Sequence, residues 1–227
     1  MGNKANSRHI KRLASSKYMS ISRKKSTYIA KPLPGRHNKL SNISLKTVLT
    51  EKLGLTSTGR EAEIIIKSKD IKVNGRTITE PLYGVGFGDI IHIKDEKDGY
   101  VVLTNKHGTF SIEKNKGSKS VFRVVGKYVT KGKKVMVRLH DGSIFNVANS
   151  KDINVNDSVE LKDGKINSIV KLKEGGKCVV IKGTHASESG TINKIHPGTA
   201  TRLTLVSIAS GKGNFETTLE NIMAIAD

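Results

Sequence analysis

The first fifty residues contain no acid. They carry twelve bases, Lys4, Arg8, Lys11, Arg12, Lys17, Arg23, Lys24, Lys25, Lys31, Arg36, Lys39 and Lys46, and the first acidic side chain is Glu51. Like charge at that density repels itself and opposes compaction, so such a segment is expected to gain order when a polyanion neutralises it. Nucleic acid is the leading polyanion, because each phosphate that a base neutralises releases condensed counterions. Tyr18, Tyr28 and His37 are interleaved with the bases and belong to the residue types that stack on unpaired nucleobases. Two other readings stay open, a solvated flexible tail and a membrane-surface anchor. Met1-Gly2 followed by bases has the outline of a myristoylation signal, but position six is Asn6, where that pattern wants Ser or Thr.

Beyond residue 50 the chain changes character. The remaining 177 residues hold 28 bases against 20 acids, so most of the formal +20 charge sits in front of them. Val, Ile, Leu and Phe fill 61 of the 227 positions. That exceeds the roughly 20% below which a charged chain stays unfolded, so a folded body is expected. At roughly 100–200 residues per domain, the length allows one or two ordinary domains or several small ones.

Several function classes lose support on residue chemistry. Cys178 is the only cysteine, which allows neither an intrachain disulfide nor a four-cysteine zinc site. The seven histidines, His9, His37, His92, His107, His140, His185 and His196, are scattered, and no two lie within a helical turn of each other. No metal and no cofactor is therefore expected. Gly117-Ser118-Lys119-Ser120 has the end of a phosphate loop, but Ile112 stands where the first glycine belongs. No Gly-x-Ser-x-Gly elbow occurs, and His140-Asp141 is better read as the start of a turn at Asp141-Gly142 than as part of a triad. No catalytic residue is assigned. The longest apolar runs, such as 64–66, are a few residues, too short for a membrane span, and no apolar stretch follows Met1. The expectation is a soluble cytoplasmic protein that is not an enzyme.

The periodicity divides the chain into four parts. Residues 1–40 form the basic arm, extended or partly helical, with Ile10, Leu13 and Ala14 at helical spacing and Pro32, Pro34 and Gly35 ending it. In residues 41–97 two short helices are expected. The first is capped by Ser44, runs to about Leu53 and ends at Gly54; the second starts in the capping box Thr58-Gly59-Arg60-Glu61 and buries Ala62, Ile65 and Ile66. The period then becomes two, with Ile71 and Val73, the hairpin turn Asn74-Gly75, Ile78, and a closing strand Ile90-Ile91-His92-Ile93. Residues 98–173 read as short strands near 100–104, 109–113, 121–130, 135–140, 143–147, 157–161 and 166–172, with turns at Asp141-Gly142 and Asp163-Gly164. After the joint Glu174-Gly175-Gly176, residues 174–227 continue with strands near 177–182, 190–195, 201–208 and 214–219. Residues 219–225 then add a helical turn or an edge strand. The fold class is α+β and multidomain: arm, αα-plus-hairpin unit, all-β centre, and a small C-terminal barrel.

Two stretches resemble known RNA-binding modules. Residues 54–93, through Gly54-Leu55-Thr56-Ser57, Arg60-Glu61-Ala62, Ile71-Lys72-Val73-Asn74-Gly75-Arg76, Pro81 and Gly88-Asp89-Ile90-Ile91, resemble the S-four RNA-binding domain. Such a unit offers Arg60, Lys67, Lys69, Lys72 and Arg76 to phosphates; an ordinary solvated face is the alternative. Lys69 stands where that family usually has glycine at a left-handed turn, so the turn is expected to be built differently. Gly176, Val179, Ile181, Gly183, Gly190, Ile192 and Ile195 resemble the KOW motif of SH3-like barrels. Ser187 and Glu188 depart from its usual glycine and base, so a purely structural barrel and an RNA-binding one stay equally open.

The order of these parts resembles one family over nearly the whole chain, the archaeal and eukaryotic small-subunit ribosomal protein S-four-e. Further matches are His9-Ile10-Lys11-Arg12-Leu13-Ala14, Gly35-x-His37, Val155-Asn156-Asp157-Ser158-Val159, Gly164-Lys165-Ile166 and Phe215-x-Thr217-x-Leu219-x-Asn221-Ile222. The lack of a longer eukaryotic C-terminal extension favours an archaeal source. The resemblance implies a structural constituent of the small (30S) ribosomal subunit that supports translation, with 16S-type rRNA and neighbouring small-subunit proteins as partners. The RNA ligands expected from the charge placement and the resemblance together are Lys4, Arg8, Lys11, Arg12, Lys17, Arg23, Lys24, Lys25, Arg36, His37, Lys39, Arg60, Lys67, Lys69, Lys72 and Arg76. The alternatives are a transcription or ribosome-assembly factor of the same RNA-binding type and an RNA-modifying enzyme tethered by the S-four-like unit.

Overall fold

The computed structural model describes residues 9–226 apart from 95, 97, 116–118, 133, 148–152, 163 and 212. Three β-rich units follow one another, each with its own buried core.

The basic tract does not stand apart from the first unit. Ile10–Lys11 pairs antiparallel with Tyr28–Ile29, and two 3-10 turns, Arg12–Ala14 and Lys17–Met19, lie between them. Ile10, Leu13 and Ala14, noted for their helical spacing, form no α-helix, only a strand and a 3-10 turn, and Leu13 is 72% exposed. The apolar anchors are spaced too widely for one helical stripe: Met19 and Ile29 are buried, and Ile10 and Ile21 pack against the same core. Burying such a side chain is worth roughly 1.5–3 kcal/mol. Those anchors tie residues 9–40 to the first core while most of the bases stay outside.

Leu45–Thr47 is α-helical and continues as a π-helix, Val48–Lys52. Ser44 precedes it but does not cap it, because its Oγ bonds Thr47 Oγ1 at 2.8 Å. Gly54, with φ +66°, follows the end as expected. The second helix, Gly59–Lys67, opens with the full capping box: Glu61 N donates to Thr58 Oγ1, and Glu61 Oε2 accepts from Thr58 N. Ala62 and Ile66 are buried, whereas Ile64 is 63% exposed.

At the following turn Lys69 itself takes the left-handed conformation, φ +67°. The turn is therefore built as with glycine, contrary to expectation. Ile71–Val73 and Arg76–Thr77 pair across Asn74-Gly75, whose φ values of +50° and +78° fit a primed hairpin turn.

That hairpin belongs to a five-stranded sheet in the order Arg76–Thr77, Ile71–Val73, Ile90–Ile93, Gly99–Thr104, Phe110–Asn115. The last two strands were expected to open the central domain at residue 98. Instead they pair back onto Ile90–Ile93 through Ile90↔Val101 and Ile91↔Tyr100, and Tyr100, Val102 and Phe110 sit in the first core. A short connection returns the chain beside the strand it has just left, so the sheet gains two strands before the chain departs.

In the central unit the long strand Lys119–Val129 pairs through its first half with Ser158–Lys162 and through its second with Val135–Leu139. A bulge between Val124 and Gly126 marks the change of partner. Ile144–Val147 and Lys165–Val170 complete the sheet around Phe122, Val124, Val137, Leu139, Ile153, Val159 and Leu161. The C-terminal unit orders Gly213–Thr218, Leu205–Ser210, Ser189–His196, Lys177–Val180 and Ile222–Ala224 over Cys178, Val180, Ile192, Val206, Ile208 and Ile222. Both a helical turn, Leu219–Asn221, and a strand, Ile222–Ala224, occupy the last stretch. The strand expected from 201 starts at Leu205.

Candidate nucleic-acid interface

The sequence treats the bases as one population; the structure divides them into three. Lys4 and Arg8 lie outside the described residues.

The first group turns inward. Arg12 is 5% exposed and meets Glu51 in a bidentate pair, Nη2–Oε1 2.7 Å and Nη1–Oε2 3.0 Å, with the Ser22 carbonyl 2.9 Å from Nη1. Arg23 donates to the carbonyls of Leu13 and Ser15 at 3.0 and 3.2 Å, tying the basic tract to itself. Lys52, a base not singled out from the sequence, donates to the carbonyls of Ser20 and Phe110, and burial pushes its ammonium pKa down. These side chains hold the tract down.

Arg36 and His37 also turn inward, onto a carboxylate node shared by three parts of the chain. Asp89 is fully buried. Its Oδ2 accepts from His37 Nε2 at 2.7 Å and Gly86 N at 2.9 Å; its Oδ1 accepts from Asn74 Nδ2 at 2.6 Å and Arg36 Nη2 at 3.3 Å. Arg36 also reaches Asp141 Oδ2 in the central unit at 2.8 Å, and His37 N donates to the Asp141 carbonyl at 2.7 Å. Burial alone would push the Asp89 carboxyl up. The His37 charge and hydrogen bond, then Arg36 and the Gly86 amide, outweigh burial and hold it well below the usual carboxylate range.

His37 takes a left-handed φ of +56°, and a Cβ on Gly86 would lie 2.5 Å from its ring, so the close approach needs glycine there. Beside it, His140 Nδ1 accepts from Arg123 N at 3.1 Å and its Nε2 faces the Phe87 carbonyl at 3.2 Å. One nitrogen must accept and the other donate, which fixes a neutral tautomer. Burial and then the neighbouring His37 accordingly push His140 down to about 4.

The second group faces solvent around the second helix. Lys67 ends that helix; Lys69 and Lys72 follow on the turn and the strand. Lys72 lies opposite His92 across the sheet, and Ile90–Ile93 leads on to Lys94. Lys69, Lys72, His92 and Lys94 line a groove of about 680 Å³ with Ser68, Asp70, Gly75 and Ile93. His92 and Lys94 were not assigned from the sequence, although their alternation with Ile91 and Ile93 puts them on the Lys72 face. Asp70 pairs with Lys94 at 3.3 Å and accepts from Ser68 Oγ, and those contacts, Ser68 first, lower its pKa. Lys69 and Lys72 are exposed and form no ion pair among the described residues. At the other end of the helix, about 12 Å away at 1.5 Å per residue, Arg60 is exposed beside a second groove of about 600 Å³. Its lining includes Lys25, Tyr28 and Gly59, and Lys11 lies opposite Tyr28 in register.

The third group is exposed but scattered. Lys17 and Lys24 lie on the outer side of the tract, and Lys39 borders a groove of about 690 Å³ with Leu33, Pro34 and Leu82. Arg76 is exposed but opposes Val73, whereas Lys72 opposes Thr77, so the two bases leave the hairpin on opposite faces. Of the three stacking candidates, Tyr28 is 52% exposed, with the His9 ring at 5.0 Å; Tyr18 packs on Phe110, and His37 is enclosed.

No helix among the described residues is long and apolar enough to cross a membrane, and no cluster of three metal-ligating side chains occurs among them. Fold and surface together define a β-rich, multi-unit protein with a cationic face suited to a polyanion.

The comparisons narrow that class. The model of the ribosomal S4e family matches residues 96–166. The small ribosomal subunit protein eS4 of Thermoplasma volcanium is 33% identical over 220 residues, covering 95% of this chain and 91% of that one. Its counterpart in Archaeoglobus fulgidus is 30% identical over 220 residues, covering 96% and 92%. Among solved structures, the crystal structure of the 30S ribosomal protein S4e from Thermoplasma acidophilum superposes with a TM-score of 0.68 at 26% identity, covering 82% of this chain and 96% of that one. The chain belongs to the ribosomal S4e family.

Proposed function

We propose that this protein is a structural, non-enzymatic constituent of the small ribosomal subunit in the cytoplasm, and that it binds 16S-type rRNA and packs against neighbouring small-subunit proteins. The observation that carries this reading is the match to small-subunit proteins named eS4 along 95% of the chain. The two helices and the Asn74-Gly75 hairpin act as an S-four-like RNA-binding unit. Lys67, Lys69 and Lys72 at one end of the second helix, and Arg60 with Lys11 and Lys25 at the other, take phosphates along its length. Lys17, Lys24, Lys39 and Arg76 add to the same field, and Lys4 and Arg8 extend it in sequence.

The C-terminal unit is a KOW-type SH3-like barrel. Ser187, where that motif usually has glycine, holds φ +70°, and Glu188 lies 3.3 Å from His185, an arrangement that favours a structural role for this loop. The described part of the basic tract reaches RNA as a folded surface, because its core anchors are already buried.

Phosphate contacts predict a log–log salt slope of about −0.7 to −0.9 per phosphate neutralised. Sedimentation tests the reading: after a moderate salt wash of host particles, the protein is expected in stoichiometric amount with the 30S fraction. If it runs free at the top of the gradient, the reading is wrong.

A further inference from the structure

Where the first unit meets the central domain, two hairpin tips touch. One is Asn74-Gly75. The other is the turn between the strands Ser158–Lys162 and Lys165–Val170, in which Gly164 has φ +75°. A Cβ placed on Gly164 would lie 3.6 Å from Arg76 Nε and 3.7 Å from the Asn74 carbonyl.

Bases predominate at this contact. Lys162 lies directly opposite Lys165 across the turn, and on its other side opposite Lys119 in backbone register. Lys162, Lys165 and Arg76 are exposed and form no ion pair among the described residues. Glu160 on the same strand accepts from Ser168 Oγ at 2.6 Å. Asp163, outside the described residues, offsets at most one of these charges. Like charges directly opposite each other across strands destabilise a sheet, and a row of them on two abutting rigid tips raises the local potential for a polyanion. Its bases are solvent-exposed, so they suit the phosphates of an extended chain. Gly75 at the first tip also lines the groove of Lys69, Lys72 and Lys94, so this tip borders both basic sets.

We propose that the central domain is part of the RNA interface: Lys162 and Lys165, with Arg76, hold the phosphodiester backbone of the same rRNA that the Lys69–Lys72 groove engages, so the RNA crosses the seam between the units. This inference deepens the rRNA reading and rests on it.

The test is a salt titration of full-length protein binding to transcribed 16S-type rRNA. K162A/K165A is expected to reduce the slope by roughly 2, about one per phosphate-contacting lysine, with an unchanged or slightly raised unfolding midpoint. The control K131A/K134A removes equal charge beyond the far end of the 11-residue strand Lys119–Val129 and is expected to leave the slope unchanged. If K162A/K165A matches wild type while K69A/K72A lowers the slope, the seam is not a contact and the rRNA reading stands. If the control lowers the slope as much as K162A/K165A, the effect is general charge and the proposal fails. A wild-type slope near zero overturns both readings.

Discussion

The node around Asp89 and the groove around Lys72 are both built from ionic side chains, are both reached through the Asn74-Gly75 hairpin, and do opposite things. In the node each carboxylate oxygen of Asp89 has two donors, and the side chains of Arg36 and His37 are only 18% and 3% exposed beside it. In the groove Lys69 and Lys72 project into solvent, and the nearest carboxylate, Asp70, is engaged with Lys94 and Ser68. Desolvated charge must be balanced inside the molecule, because an unpaired buried ion costs several kcal/mol. Solvated charge can await a partner from outside. Enclosure, more than residue type or local charge density, separates the bases engaged inside this protein from those left facing solvent.

The sharpest way to break that comparison is to remove one charge from each place. Asp89→Asn removes the carboxylate that His37 and Arg36 share, leaves Arg36 with Asp141 alone, and puts an amide donor among existing donors. It is expected to destabilise the protein by about 3–5 kcal/mol in denaturant titration, with the rRNA salt slope of the remaining folded fraction unchanged. Lys72→Ala is expected to change stability by less than about 0.5 kcal/mol and to reduce the slope by about one. A loss below about 1 kcal/mol for Asp89→Asn would mean that the node does not hold the units together.

Acid sharpens the same contrast from the node side. His140 is held neutral in the fold, with a pKa near 4, whereas an unfolded histidine titrates near 6.5. Between those values the unfolded chain binds a proton that the folded chain refuses, so stability falls as pH falls from about 6.5 to 4, by at most about 1.4 kcal/mol per pH unit. Below that window Asp89 takes over. Its folded pKa is depressed, so its contribution is present above the ordinary carboxylate pKa of about 4 and is lost on further acidification. His140→Gln is expected to flatten the upper part of the curve and leave the lower part. An unaltered upper part in that variant would remove His140 from the account.

How much of this was legible beforehand follows from the range of the interactions. The capping box at Thr58 and Glu61 and the Asn74-Gly75 turn are local rules, and both form as read. The node is nonlocal: His37 and Asp89 are 52 residues apart, and nothing near either one marks it as buried. The burial of Arg12 is hidden for the same reason, since its partner Glu51 lies 39 residues on and in sequence marks only the end of an acid-free run. The limit of the first sheet was missed because Gly99–Thr104 alternates equally well whichever neighbour it pairs with. Lys69 was read as an obstacle to a left-handed turn, yet adjoining contacts impose that turn: Ser68 Oγ reaches the Ile65 carbonyl, and Lys69 N donates to the Ile66 carbonyl at 3.3 Å.

The smallest expected effect is the most discriminating, because it has opposite signs in the two currencies of stability and RNA affinity. A left-handed backbone costs a non-glycine residue roughly 1–2 kcal/mol, and glycine removes that cost while losing about 0.5–1 kcal/mol to unfolded-chain entropy. Lys69→Gly should therefore stabilise the protein slightly, by under about 1 kcal/mol. It also deletes a base from the rim of the groove and should reduce the salt slope by about one. A lysine kept at φ +67° against its own backbone preference makes sense when its ammonium is needed at that spot. Should Lys69→Gly gain stability and bind rRNA with an undiminished slope, the groove would have to be given up as a phosphate site, and the turn would be a strained position with no such role.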